Sequence, residues 1–111
     1  MTPDSGDVLL VDLGIATRGH EQAGTRPAIF LYAEGSVSLI IPLSSNTARL
    51  RFRGTVLITS DKTNGLAKPS VALIYQMRAL DTHRILKRIG SLSAKDRRLM
   101  NKVIRSVTVI K

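Results

Sequence analysis

His20 and Glu21 are the first residues in this chain that suggest chemistry. A zinc-peptidase site would need a second histidine one helical turn later. In the run His20-Glu21-Gln22-Ala23-Gly24 that position is a glycine. Gly19 and Gly24 also speak against a helix there. The chain has no Gly-x-Ser-x-Gly elbow, no phosphate-binding loop and no dinucleotide fingerprint, and its acids are scattered. The same loop suits a reaction that needs no metal. In RNA, the ribose 2′-hydroxyl can attack its own neighbouring phosphate. A protein must then position it, move two protons and stabilise charge on the phosphorane. An Arg fork matches phosphate oxygens, a His or Glu can move protons, and a hydroxyl can hold the remaining oxygen. The loop supplies His20, Glu21 and Arg26, and a later segment supplies Ser44, Ser45 and Asn46. Each also has an ordinary structural use. Arg26 could brace the loop against Glu21 or Asp12, and Ser44 could cap a turn. His20 could bond a backbone carbonyl, Glu21 could orient Arg26, and Gln22 could either brace the loop or read a base edge.

Charge points the same way. Lys and Arg number 17 against 8 Asp and Glu, a net charge of +9, with a pI near 10.9. That is the electrostatic footprint of a polyanion binder. With 111 residues the chain is one domain, residues 1–111, and its 43% hydrophobic content excludes a disordered chain. It has no cysteine, so disulfides, thiolate metal sites and a thiol nucleophile are excluded. The longest apolar runs fall far short of a bilayer span, and the start, Met-Thr-Pro-Asp-Ser-Gly-Asp, does not resemble a secretory signal. The expected setting is the cytoplasm, with no membrane contact.

The elements that must position these groups are mostly short strands. Val8–Val11 suits a buried strand, and Leu13–Thr25 reads as a long, functional loop. Strands follow from Pro27 and over Val37–Leu43, with a turn at Gly35-Ser36. Arg49, Arg51 and Arg53 alternate with Leu50 and Phe52, which in an extended chain sets three guanidinium groups on one face. A fourth strand is expected over Thr55–Thr59, and Asp61–Gly65 is turn chemistry. A fifth strand, Val71–Tyr75, is expected to run on to Arg78, and Arg84–Gly90 adds another piece. Ser93 and Asp96 have capping-box spacing ahead of a helix that would bury Leu99, Val103, Ile104, Val107 and Ile110. Phe30 and Phe52 read as core. The fold class is a small, bent antiparallel sheet closed by one C-terminal helix.

These residues also carry a family resemblance. Gly19-His20-Glu21-Gln22-Ala23-Gly24-Thr25-Arg26-Pro27 resembles the loop signature of the MazF/PemK (Kid) toxins of type II toxin–antitoxin systems. Gly6–Leu13 is similar to that family's first strand, Ile41-Pro42-Leu43-Ser44-Ser45 to its Pro-x-(Thr/Ser)-Ser segment, and Pro69–Asp81 to its late strand. Ile89–Leu92 is similar to the approach to its final helix. The resemblance implies an SH3-like barrel of the CcdB/MazF type with a C-terminal helix, acting as a homodimer. It implies metal-independent, sequence-selective cleavage of single-stranded RNA without a cofactor, and an acidic antitoxin that blocks the RNA groove. It gives catalytic roles to Arg26, Ser44, His20 and Glu21. RNA contacts are expected of Gln22, Thr25, Ser45, Asn46, Arg49, Arg51, Arg53, Tyr75 and Arg78, with a solvated strand face as the plain alternative for the arginine row. One departure stands out: the Kid branch has an Arg and an Asp on the late strand where this chain has Leu73 and Tyr75. Tyr75 could stack a base or fill the space of the missing Asp. The alternatives are a CcdB-like toxin that binds without cutting, and a plain RNA-binding barrel.

Overall fold

The central residues of the first three strands are buried on both faces, which is why these stretches read as apolar runs rather than as alternating ones. The computed structural model describes residues 2–14 and 23–108. Among these, β1 (Asp7–Asp12), β2 (Thr25–Glu34), β3 (Val37–Ser44), β4 (Thr55–Ile58), β5 (Ser70–Leu73), β6 (Arg78–Asp81) and β7 (Ile85–Ser91) precede one helix, α1 (Ala94–Thr108). Side-chain alternation splits the sheet's contacts into two cores. Val8, Ile29, Ile41 and Leu43 face the helix side, packing with Val56, Ile58, Leu92 and Met100. Leu9, Val11, Ala28, Phe30 and Ile40 face the other way, with Leu13 and Leu80.

The strands form one antiparallel sheet in the order β4-β5-β3-β2-β1-β7, with β6 also on β3. The second edge of β3 is shared. Val37–Ile40 pair with β6, while Leu43 and Ser44 pair with Ala72 and Val71 of β5. One strand can serve two partners in this way only if the sheet curls between them. This corrects the expectation of a single strand from Val71 to Arg78. A 3-10 turn over Ile74–Gln76 interrupts it, and the chain re-enters as β6. The other strands, the curled sheet and the C-terminal helix match the expected class.

Ser93 caps α1 as its spacing suggests: its Oγ accepts from the Asp96 N–H at 3.1 Å. The buried stripe is rotated from the expected one. Met100 is the buried residue, with Val103 and Ile104 half-buried, whereas Leu99 and Val107 are exposed. The sheet lies against the Met100 side, and periodicity alone does not say which edge of a wide stripe faces in. Ile110 lies outside the described residues. No helix among the described residues is long and apolar enough to cross a membrane.

Candidate nucleic-acid interface

Arg26 sits near the start of β2, flanked by β1 and β3. Its ladder partner on β1 is Val11. On the β3 side the last ladder pair is Ala28 with Pro42. Two residues further along each strand stand Arg26 and Ser44, on the same face of the sheet as that pair. Arg26 is exposed, and its Nε donates to the Ala23 carbonyl at 3.1 Å. Among the described residues no carboxylate meets its guanidinium. Asp12 is occupied otherwise, its Oδ1 accepting from the Gly14 N–H at 2.9 Å. Ser44 is buried, and its Oγ accepts from the Asn46 N–H at 3.1 Å. The Ser44 hydroxyl proton is thereby left to donate elsewhere.

Thr25, Arg26 and Ser45 come together as lining of a cleft of about 280 Å³. Pro27, Leu43, Leu66, Ala67, Lys68 and Ser70 complete it. Lys68 and Ser70 escaped the sequence reading. They reach Arg26 because β5 pairs with β3 and carries the loop before it to that edge, a long-range pairing that local sequence does not encode. The loop is held by Asn64, which is fully buried. Its Oδ1 accepts from Asp61 N at 3.2 Å and Leu66 N at 3.0 Å, and its Nδ2 donates to the Thr59 carbonyl at 2.9 Å. Hydrogen bonds from the Asn64 N–H, then from the Thr63 hydroxyl and N–H, hold the Asp61 carboxyl below the usual aspartate range.

The arginine row is not a strand face. Thr47–Arg51 form a 3-10 turn capped by Asn46, whose side chain accepts from the Ala48 N–H at 3.1 Å. At about three residues per turn, alternate positions no longer share a face. The turn is closed by bonds from Arg49 N to the Asn46 carbonyl and from Phe52 N to the Arg49 carbonyl. Arg49 Nη1 donates to Tyr75 Oη at 3.3 Å, and Gln76 Nε2 donates to the same oxygen at 3.4 Å. The Arg51 guanidinium carbon lies 4.8 Å from the centre of the Phe52 ring. Phe52 meets Tyr75 edge-on, with ring centres 5.8 Å apart. Phe52 is therefore not core: it is 40% exposed, because the turn carries it out of the sheet. Arg53 is exposed. Arg78 is half-buried, and its Nη2 donates to the Leu13 carbonyl at 3.4 Å. Leu73 is fully buried opposite Thr55 of β4. His20, Glu21 and Gln22 lie outside the described residues.

The family described as PemK-like, MazF-like toxin of type II toxin-antitoxin system matches residues 4–108. The chain belongs to that family. Solved toxin structures share the fold at low sequence identity. MazF from Deinococcus radiodurans (Form-I) is 21% identical, with 96% of each chain covered and a TM-score of 0.77. The Mycobacterium tuberculosis toxin MazF-mt6 is 18% identical, with 90% of this chain and 93% of that one covered and a TM-score of 0.71. A MazE-MazF structure from Deinococcus radiodurans (Form-II) is 22% identical, with 96% of each chain covered and a TM-score of 0.70.

Proposed function

We propose that this MazF/PemK-family toxin is an endoribonuclease that cuts single-stranded RNA without a metal ion. What supports this reading is the gathering of Thr25, Arg26 and Ser45 at one cleft, in a chain of net charge +9 whose β2–β3 register sets Arg26 and Ser44 each two residues beyond the Ala28–Pro42 pair. In the proposed reaction the 2′-hydroxyl loses its proton and attacks the adjacent phosphorus. The P–O5′ bond breaks, and the departing oxygen takes up a proton. The products are a 2′,3′-cyclic phosphate and a free 5′-hydroxyl. Arg26 neutralises the charge that grows on the non-bridging oxygens, and the Ser44 hydroxyl donates to one of them. His20 and Glu21 carry the two proton transfers. Thr25, Ser45 and Lys68 line the path of the strand.

The expected working form is a cytoplasmic homodimer. The MazE-MazF structure supports an antitoxin partner for this chain as well, and an acidic segment would complement its charge. The burial of Leu73 favours a second reading, since an apolar side chain stands where the Kid branch has a charged one. In that reading the chain binds its target and does not cut.

Purified protein incubated with a long single-stranded RNA in excess chelator separates the two. Discrete fragments are expected, and Arg26→Ala should slow their appearance by roughly 10²-fold or more, the usual cost of removing a preorganised transition-state donor. Binding without fragments, or cutting that stops with chelator, would refute the proposal.

A further inference from the structure

We propose that Arg51 and Phe52 form a stacking platform for one unpaired base of the bound RNA, a reading that rests on the RNA-cleaving function proposed above. The Arg51 guanidinium lies over the Phe52 ring, and the ring is braced edge-on by Tyr75. Arg49 in turn holds the Tyr75 hydroxyl. The result is a layered, partly exposed π surface with cations on its rim, beside a hollow lined by Asn46, Ala48, Arg49, Arg51 and Phe52. An unpaired base stacks on aromatic rings and on guanidinium planes alike.

The platform is tied to the proposed cleavage site through the chain. Its turn begins at Asn46, and the Asn46 N–H is bonded to the Ser44 Oγ. A strand with its phosphate at Arg26 and Ser44 would therefore meet this surface within a short span.

Charge decides against the other obvious occupant, a second copy of the chain. In a two-fold contact centred on Phe52, Arg49, Arg51 and Arg53 would meet their own images, and no acid neighbours them in sequence from Ser44 to Ser60. A polyanion supplies the missing charge, and its bases supply the flat partner.

The test is binding of a single-stranded oligonucleotide made uncleavable by 2′-deoxy substitution, followed by fluorescence anisotropy. Phe52→Leu keeps an apolar side chain and removes the ring. Arg51→Lys keeps the charge and removes the plane. Each should weaken binding by about 5- to 150-fold, the range for loss of one base–aromatic stack. Phe52→Tyr should recover most of what Phe52→Leu loses, and Arg51→Lys should keep the wild-type salt dependence, because the number of cations is unchanged. Wild-type affinity in both Phe52→Leu and Arg51→Lys overturns the platform. So does a change of oligomeric state in Phe52→Leu by sedimentation, which would mark the patch as an interface between copies. If wild type binds the oligonucleotide with this Phe52 dependence but cuts no RNA, the enzyme reading fails and the platform stands. If wild type cuts RNA and the variants bind unchanged, the reverse holds.

Discussion

Asn64→Ala should be among the most destabilising single changes in this fold, although the residue lies in a loop. The side chain is fully buried and makes three hydrogen bonds to backbone. Truncation strands the Leu66 N–H in a buried setting, while the Asp61 N–H and the Thr59 carbonyl, both on exposed residues, lose a bond that water can replace. A buried group left unsatisfied costs about 1–3 kcal/mol and each of the two other lost bonds about 0.5–1.5 kcal/mol, about 2–6 kcal/mol in all. An unfolding entropy of ~2.1 cal/mol/K per residue makes each kcal/mol worth roughly 4 °C for this length, so Tm should fall by about 8–25 °C. Thermal unfolding followed by circular dichroism and by tyrosine fluorescence measures it, provided the two probes coincide. Exposed Asn101 is the control: Asn101→Ala should stay within about 0.5 kcal/mol of wild type. A Tm drop below ~4 °C in Asn64→Ala would mean that the loop is not held by this side chain, and the account of the cleft wall would fail with it.

Gly65 and Gly35 both have positive φ, +70° and +58°, but only Gly65 is enclosed. A Cβ on Gly65 would run into the Ile89 backbone carbonyl, whereas one on Gly35 meets nothing within 4 Å. Gly35→Ala should therefore cost about 1–2 kcal/mol of left-handed strain, and Gly65→Ala should yield little soluble protein. Equal soluble yields would contradict the close approach. Acid should act through Asp61 and Asp81, whose carboxyls are held below their ordinary value by local hydrogen bonds, for Asp81 chiefly from the His83 N–H. A lowered folded pKa gives stability that is complete above the unfolded value of 3.8 and is lost as pH falls through the folded one. Asp61→Asn should thus flatten the fall in Tm between about pH 5 and pH 2, and an unchanged slope would show that Asp61 contributes nothing to it.

Much of this fold was legible because its signals are local. Val8–Val11 and the apolar stretches of β2 and β3 read as strands, and the Ser93–Asp96 spacing marked the start of α1. What was not legible depended on contacts between distant segments. Val71–Arg78 looks like one strand, yet β3 takes β5 at one end and β6 at the other, and the chain must bend between them. The Arg49-Leu50-Arg51-Phe52-Arg53 alternation looks like a strand, but it has no partner edge, and the Asn46 cap winds it into a turn. Leu99 fits the helical stripe as well as Met100 does; only the position of the sheet decides between them. At the site, Arg26, Ser44 and Ser45 were visible by residue type. Lys68 and Ser70 were not, because nothing in their own neighbourhood says that β5 lies beside β3.

The burial of Leu73 constrains where proton transfer can occur if the chain cuts RNA. Leu73 is sealed between β3 and β4 and offers no titratable group. Two residues on, the Tyr75 hydroxyl already accepts from Arg49 and Gln76. Its more natural task is to hold Arg49 and brace Phe52. The late-strand position that is charged in the Kid branch is thus apolar core at Leu73 in this chain, and the proposed reaction assigns proton transfer to His20 and Glu21, which lie outside the described residues. His20 supplies the group whose ordinary pKa, about 6.5, lies nearest neutrality. Arg26, two residues into β2, joins the preceding segment to the sheet through Ala23 and Val11. With Arg26 fixed by the ladder, charge stabilisation in the proposed reaction sits on a rigid strand.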